Sequence, residues 1–279
     1  MRIAPLLVAG AVACQFALAA DPAKPQAGKG TPYTGAVSEE EFKKLHELKS
    51  DKPPALQGQM VSIGEGEAQA YLSLPAKAAA PLPAIVVIHE WWGLNDHIKH
   101  WADRLAAAGY AALAVDLYGG KTATTPDDAM AAVKEVDDEN ALATLKQAHR
   151  FLAEDKRVRA DKQGVIGWCF GGGWSLQDAL HQPDLDAVVM YYGRVVTDPA
   201  ELKRIKAPLL GVFANQDQSI PPAKVDEFEK ALKAAGVSAK ILRYDAKHAF
   251  ANPSNPVYDE KSAAAAWEKV SAFFAKNLR

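Results

Sequence analysis

A single cysteine lies among glycines in the run Gly167-Trp168-Cys169-Phe170-Gly171-Gly172-Gly173. An apolar segment that reads as a strand precedes the run, and one that reads as a helix follows it. A residue on a sharp strand-to-helix turn is crowded two positions away on either side, which accounts for glycine at 167 and 171. The pattern is that of a G-x-S-x-G nucleophile turn with cysteine as the nucleophile. The start of the helix turns its positive end to the sulfur, which favours a thiolate, and offers the Phe170 N–H to an oxyanion. A P-loop would end in Lys-Ser or Lys-Thr, and this run does not. The other reading is a thiol simply buried in a tight turn.

A thiol nucleophile needs a base, and the base needs an acid to orient it. Asp217 lies in Asn215-Gln216-Asp217-Gln218-Ser219-Ile220-Pro221, and His248 in Tyr244-Asp245-Ala246-Lys247-His248-Ala249-Phe250. Both fall just past predicted strands, in the order nucleophile, acid, histidine. Asp217 also fits a plain turn residue. Asp245 is the weaker candidate acid, because it lies on the same loop as His248 and three residues before it. His97, His100, His149 and His181 read as residues in or near helices, mostly on polar faces, and His46 precedes the core.

A second motif, Ile88-His89-Glu90-Trp91-Trp92-Gly93, follows the first buried strand, where the Trp91 N–H is placed to be the other oxyanion donor. Glu90 reads either as an acid beside the thiol or as a structural acid paired with an arginine. Four of the six tryptophans, Trp91, Trp92, Trp168 and Trp174, flank the two motifs. Trp174 reads as core, and the other three as walls of an apolar, aromatic pocket.

The elements that must hold these residues follow from periodicity. Segments 60–63 and 68–74 read as a strand hairpin around Gly64-Glu65-Gly66. Segments 84–89, 111–117, 164–168, 187–192, 208–214 and 239–244 read as strands, most of them apolar runs expected to be buried on both faces. Segments 97–108, 126–152 (one or two helices), 173–181, 222–235 and 260–275 read as helices. Strand and helix alternate for about 190 residues, the order of a mostly parallel sheet covered on both faces. Such sheets bind ligands beyond the carboxyl ends of their strands, where both motifs fall.

The 279 residues are 49% hydrophobic and 24% charged, with net charge −2, so no basic field for nucleic acid is present. Two cysteines exclude a disulfide scaffold and a zinc site made of four cysteines. Residues 1–19 read as a signal peptide: a positive start at Arg2, an apolar run from Ala4 to Leu18, and Ala17-Leu18-Ala19 as the cleavage site. Uncleaved anchoring and lipidation at Cys14 are the competing readings. Residues 20–56 read as a flexible leader with a short helix that opens at the Ser38/Glu41 capping box and buries Phe42, Leu45 and Leu48. Residues 57–279 form the catalytic domain. Cleavage removes Cys14 and leaves Cys169 as the sole thiol.

From about residue 58 to the C-terminus the chain resembles the dienelactone hydrolase (carboxymethylenebutenolidase-like) family of the α/β-hydrolase superfamily. The matching motifs are His89-Glu90-Trp91-Trp92-Gly93, Asp116-Leu117-Tyr118, Gly167-Trp168-Cys169-Phe170-Gly171-Gly172, Tyr191-Tyr192-Gly193, Gln216-Asp217 with Pro221, and His248-Ala249-Phe250. The resemblance implies an α/β-hydrolase fold and a Cys169–His248–Asp217 triad. It also implies Glu90 in contact with the resting thiol, and an oxyanion hole from the Trp91 and Phe170 amides. Tyr192 would lie near the substrate, and Trp92 and Arg194 are further candidates for holding it. The chain departs from the family at Asn252, where the family carries an arginine, and in Gly119-Gly120-Lys121, where a second would lie. Lys121 and Arg194 are the cations that could compensate. The resulting expectation is an exported, periplasmic or secreted hydrolase of a small-molecule ester or lactone, acting through an acyl-thioester. Neither cofactor, metal, nucleic acid nor stable membrane attachment is expected. The alternative is a ligand-binding or thiol redox protein on the same scaffold, although redox chemistry usually employs a second, resolving cysteine.

Overall fold

The computed structural model describes residues 40, 42–43, 55–64, 68–77 and 79–279. The signal peptide, most of the leader and the expected capping box lie outside these residues. Eight strands form one sheet: β1 (Gln59–Ser62), β2 (Gln69–Ser73), β3 (Ala84–Ile88), β4 (Ala111–Val115), β5 (Gln163–Trp168), β6 (Ala187–Tyr191), β7 (Leu209–Ala214) and β8 (Ala239–Tyr244). Their spatial order is β1-β2-β4-β3-β5-β6-β7-β8. β1 and β2 pair antiparallel with each other, and β2 pairs antiparallel with β4; the remaining pairs are parallel.

This is an α/β-hydrolase fold, and burial explains its sequence. β3, β4, β6 and β7 are buried at every position, as strands covered on both faces must be. One face packs against α1 (Asp96–Ala107) and α7 (Glu260–Leu278), the other against α3 (Asp138–Glu154), α4 (Phe170–His181) and α6 (Pro222–Ala235). The segment 126–152 divides into α2 (Pro126–Glu135) and α3. Val136 is extended there, and the Asp137 side chain accepts the Asn140 N–H at 2.9 Å, which starts a new helix. A short α5 (Pro199–Leu202), capped by Asp198, was not expected from the pattern.

Strand order reverses at β3: the chain crosses from β3 to β4 on one side and then returns to β5 on the other. The register aligns Ile88 with both Val115 and Gly167, and Tyr191 with Trp168 and Val212. Residues 89–92, 169, 192, 217 and 248 therefore leave the sheet along one edge, around the point where a doubly wound sheet opens a crevice.

The leader contributes to the core at two described positions, Phe42 and the partly buried Leu56. Phe42 is fully buried, its ring 4.2 Å from Trp101, and the Arg104 guanidinium lies between Phe42 at 4.3 Å and Trp267 at 4.2 Å. Burying a guanidinium among aromatic faces is tolerable because the ring quadrupole takes up part of its charge.

Three histidines differ from the expectation of polar faces: His97, His100 and His149 are buried. His149 bridges α3, α4 and β5. Its Nε2 lies 2.8 Å from Asp178 Oδ2, and its Nδ1 2.8 Å from Gln163 Oε1. Gln163 Nε2 donates to the His149 carbonyl at 3.1 Å, which fixes the amide so that Oε1 faces the ring. Opposite an ionised Asp178 both ring nitrogens donate, an arrangement that favours the imidazolium form of His149. Burial lowers its pKa, but the Asp178 charge and hydrogen bond outweigh this and raise it. A raised folded-state pKa stabilises the protein fully below the unfolded value of about 6.5, and the benefit is lost as pH rises through the folded value. His149→Leu should cost about 3 kcal/mol in urea unfolding near pH 5.5. That cost should shrink steadily toward pH 9; a cost that is flat across this range would contradict the assignment.

Candidate active site

Cys169 follows β5 and forms the N-cap of α4 with φ 55° and ψ −114°, a conformation that an L-residue holds only when its surroundings enforce it. The enforcement is a close approach of backbones. A methyl group on Gly167 would overlap the Gly171 carbonyl, and one on Gly171 would overlap the Ile88 and His89 carbonyls. The turn is tied on both sides: the Cys169 N–H donates to Tyr191 O at 3.0 Å, and the Gly173 N–H donates to Cys169 O at 3.1 Å. The sulfur remains partly exposed at the positive end of a 12-residue helix.

His248 and Asp217 meet as the loop order predicts. His248 Nδ1 lies 2.7 Å from Asp217 Oδ2. The other carboxylate oxygen, Oδ1, accepts the backbone N–H groups of Ser219 at 2.7 Å and Ile220 at 3.0 Å. Asp217 thus closes its own turn and aims one oxygen at the imidazole, while being 3% exposed itself. Burial disfavours the imidazolium, but the charge at Cys169, hydrogen bonds to Asp217 and Cys169, and the Asp217 charge reverse the balance. The His248 pKa stands well above the usual value. Asp245 is exposed and accepts from Gln216 Nε2 at 2.9 Å, so it faces away from the histidine.

The β3 loop is built on His89. Its Nε2 accepts the Leu117 N–H at 3.2 Å, which leaves the hydrogen on Nδ1 for Glu90 O at 2.6 Å. Burial lowers its pKa to about 4, consistent with this neutral tautomer. The ring stacks on Phe170 at 5.5 Å, and Tyr118 donates its hydroxyl to Trp91 O at 3.1 Å. The loop that carries Glu90 and Trp91 is therefore fastened to the turn that carries Cys169.

Glu90 is buried and has no arginine partner among the contacts described. Asn252 Nδ2 donates to its Oε2 at 2.6 Å, and His97 Nε2 lies 3.5 Å from the same oxygen. Burial raises the Glu90 pKa to about 7, against the opposing effects of His248 and the Asn252 hydrogen bond. Sequence reasoning missed His97; its only signal was the spacing of seven residues after Glu90, in the first turn of the next helix.

The substrate-side candidates divide. Trp91 and Trp92 are half-exposed with rings 4.8 Å apart. Tyr192, at φ 35°, is fully buried, with its ring 5.0 Å from that of His248 by centroids and close enough to Glu90 and Cys169 to feel their charges. Arg194 is exposed, its backbone packed against Gly173. Lys121 points to the surface and pairs with Glu135 at 2.8 Å. Among the described residues no group of three or more His, Cys, Asp or Glu could hold a metal, and no helix is long and apolar enough to cross a membrane.

An eight-stranded, mostly parallel sheet with a cysteine elbow, a histidine and an acid at its carboxyl edge defines a hydrolase of the α/β-hydrolase superfamily. The dienelactone hydrolase family model matches residues 68–278, and the chain belongs to that family. A Methylorubrum extorquens protein provisionally named carboxymethylenebutenolidase is 30% identical over 96% of this chain and 91% of its own. Protein usf of Aquifex pyrophilus is 35% identical over 79% of this chain and 99% of its own. The crystal structure of a provisionally assigned dienelactone hydrolase from Klebsiella pneumoniae superposes with a TM-score of 0.73 at 32% identity, covering 78% of this chain and 98% of that one.

The elbow gives a direct prediction. In Gly171→Ala the added methyl meets two backbone carbonyls that cannot yield. The substitution should cost about 3 kcal/mol or more. Thermal unfolding measures this, and a melting temperature equal to wild type would show that the approach is looser than described.

Proposed function

We propose that the protein hydrolyses a small ester or lactone through a Cys169–His248–Asp217 triad. The observation that carries this reading is the 2.7 Å pairing of His248 with Asp217, with His248 hydrogen-bonded to a cysteine held at a strained, partly exposed elbow. The Cys169 thiolate attacks the carbonyl carbon, and the carbonyl electrons move to oxygen. The N–H groups of Phe170 and Trp91 receive this oxyanion; a donor of that kind is worth about 2.7–4 kcal/mol. Collapse of the intermediate breaks the C–O bond, and the His248 imidazolium protonates the departing alkoxide. The resulting thioester is attacked by water as His248 takes its proton, and collapse returns the acid and the thiolate. Atoms balance with water alone, so the cycle requires no cofactor.

Asp217 holds the imidazole with Nε2 toward the sulfur and stabilises its charged form. Glu90 contacts the resting thiol. Trp92 lines the substrate approach with Trp91, and Arg194, exposed and packed by its backbone on Gly173 of α4, is the candidate cation for holding the substrate. The relatives' carboxymethylenebutenolidase names support an enol-lactone substrate. The polar anchor differs, however, because Asn252 is committed to Glu90 and Lys121 to Glu135. The reading includes export: residues 1–19 are removed after Ala19, leaving Cys169 as the only thiol.

A panel of aryl esters and enol lactones tests the reading. Cys169→Ala and His248→Ala should lose turnover to near background, and Asp217→Asn should lose about 10²–10⁴-fold in kcat/KM. Intact-mass spectrometry during turnover should find an acyl adduct on Cys169. Equal turnover by wild type and Cys169→Ala would sink the proposal. Edman sequencing of the exported protein should begin at Ala20.

A further inference from the structure

The hydrogen bonds around Glu90 determine which of its oxygens can carry a proton. Asn252 Oδ1 accepts the Ser254 N–H at 2.8 Å, so the amide must present Nδ2 to Glu90 Oε2. In a protonated carboxyl the carbonyl oxygen is the better acceptor, so this 2.6 Å hydrogen bond favours Oε2 as the oxygen without the proton. His97 Nε2 faces the same Oε2 at 3.5 Å, and both side chains are almost fully buried. With Oε2 unprotonated, that approach is attractive only with hydrogen on the nitrogen. Two donors thus converge on Oε2, and any proton Glu90 carries sits on Oε1.

We propose that His97 is a positioning residue for the reaction: together with Asn252 it clamps Oε2 of Glu90, so that the single carboxyl proton is held on Oε1. The proposal rests on the reading of Glu90 as the acid that contacts the resting Cys169 thiol. The groups that face Glu90 are His97 from α1, His248 from the loop after β8, and Tyr192 from the end of β6, which feels the charges of both Glu90 and Cys169. His89, next in the chain, is held neutral by its two backbone partners. Burial brings Glu90 to titrate near neutrality, so its proton comes and goes in the range where the enzyme would work. His97 belongs to the first turn of α1, whose N-cap Asn95 accepts the Ile98 N–H at 3.2 Å. The imidazole is therefore carried on a rigid element and not on the β3 loop itself. The clamp takes one carboxyl oxygen out of play and leaves the other for the site.

The pH profile of Cys169 alkylation by iodoacetamide, read on the Cys169 peptide of the full chain, tests this without requiring turnover. Wild type should show an inflection that Glu90→Gln abolishes. His97→Leu and His97→Asn each remove the donor, and each should move that inflection to higher pH by about half a unit or more, because the ionised Glu90 loses a stabilising contact. His97→Gln, whose amide can reach Oε2, should restore it to near the wild-type position. Melting curves identify the folded variants. The proposal is overturned by an inflection unmoved in a folded Leu or Asn variant, by one moved equally in the Gln variant, or by the absence of a Glu90-dependent inflection. It is also overturned if neither donor-lacking variant folds, which would assign His97 to the scaffold. Ester turnover retained in Cys169→Ala would instead count against the triad, whatever the alkylation profile.

Discussion

The molecule depends on one close approach: the first turn of α4 packed against the carboxyl ends of β3 and β6 with no side chain between. Gly171 lies on the Ile88 and His89 carbonyls, and Gly172 on the Tyr191 carbonyl. This contact forces Cys169 into its strained backbone conformation and sets the helix at the place where the strand order reverses. Backbone strain of about 1–3 kcal/mol at one residue persists only where the surroundings over-determine it. Here the ties come from Tyr191, from Gly173 and from the stacking of His89 on Phe170. A wider side chain at 167 or 171 would separate the helix from the sheet and release the cysteine into an ordinary conformation.

Around that fixed point the other groups are placed by turns that close on themselves. Asp217 uses one oxygen to satisfy two backbone N–H groups and the other to meet His248. Asn252 uses its carbonyl to cap Ser254 and its amide to hold Glu90. His89 satisfies one backbone donor and one backbone acceptor from two loops. In each case one end of a polar side chain is spent on the backbone, which fixes the direction of the other end. Bifunctional side chains of this kind let loops carry chemistry with the precision of regular elements.

Much of this was legible in the sequence, and the reasons for the misses are physical. The parallel strands announced themselves because burial on both faces produces unbroken apolar runs such as Ala84–Ile88. The elbow was legible because only glycine tolerates backbone contact, so the constraint appears as a residue type. Asp217 and His248 could be named because the fold places them at strand ends. What the sequence concealed were pairings across space. Nothing local distinguishes His97 and His149 from surface histidines, because each is held by partners outside its own helix, Glu90 for the first and Asp178 and Gln163 for the second. Asn252 looked like an absence, the lack of an arginine. In the fold it is a partner for the buried acid. Tyr192 was expected near the substrate; the fold buries its ring 5.0 Å from that of His248, a neighbour that no local pattern announces.

Two histidine–aspartate pairs in this chain show what would separate a structural pair from the one proposed to react. His149–Asp178 and His248–Asp217 have nearly the same contact, 2.8 and 2.7 Å, and in both the histidine is held toward its charged form. In the first, the second ring nitrogen is taken by Gln163, whose own amide is locked by the His149 carbonyl, so the proton has nowhere to go. In the second, the remaining nitrogen turns to a thiol at the partly exposed end of a helix. Transferring a proton through His149 would leave a buried acceptor unsatisfied at a cost of about 1–3 kcal/mol, whereas in the proposed triad His248 would exchange its proton with a partly exposed sulfur. The difference in chemistry comes from the partner of the second nitrogen, since the histidine–acid contact itself is common to both.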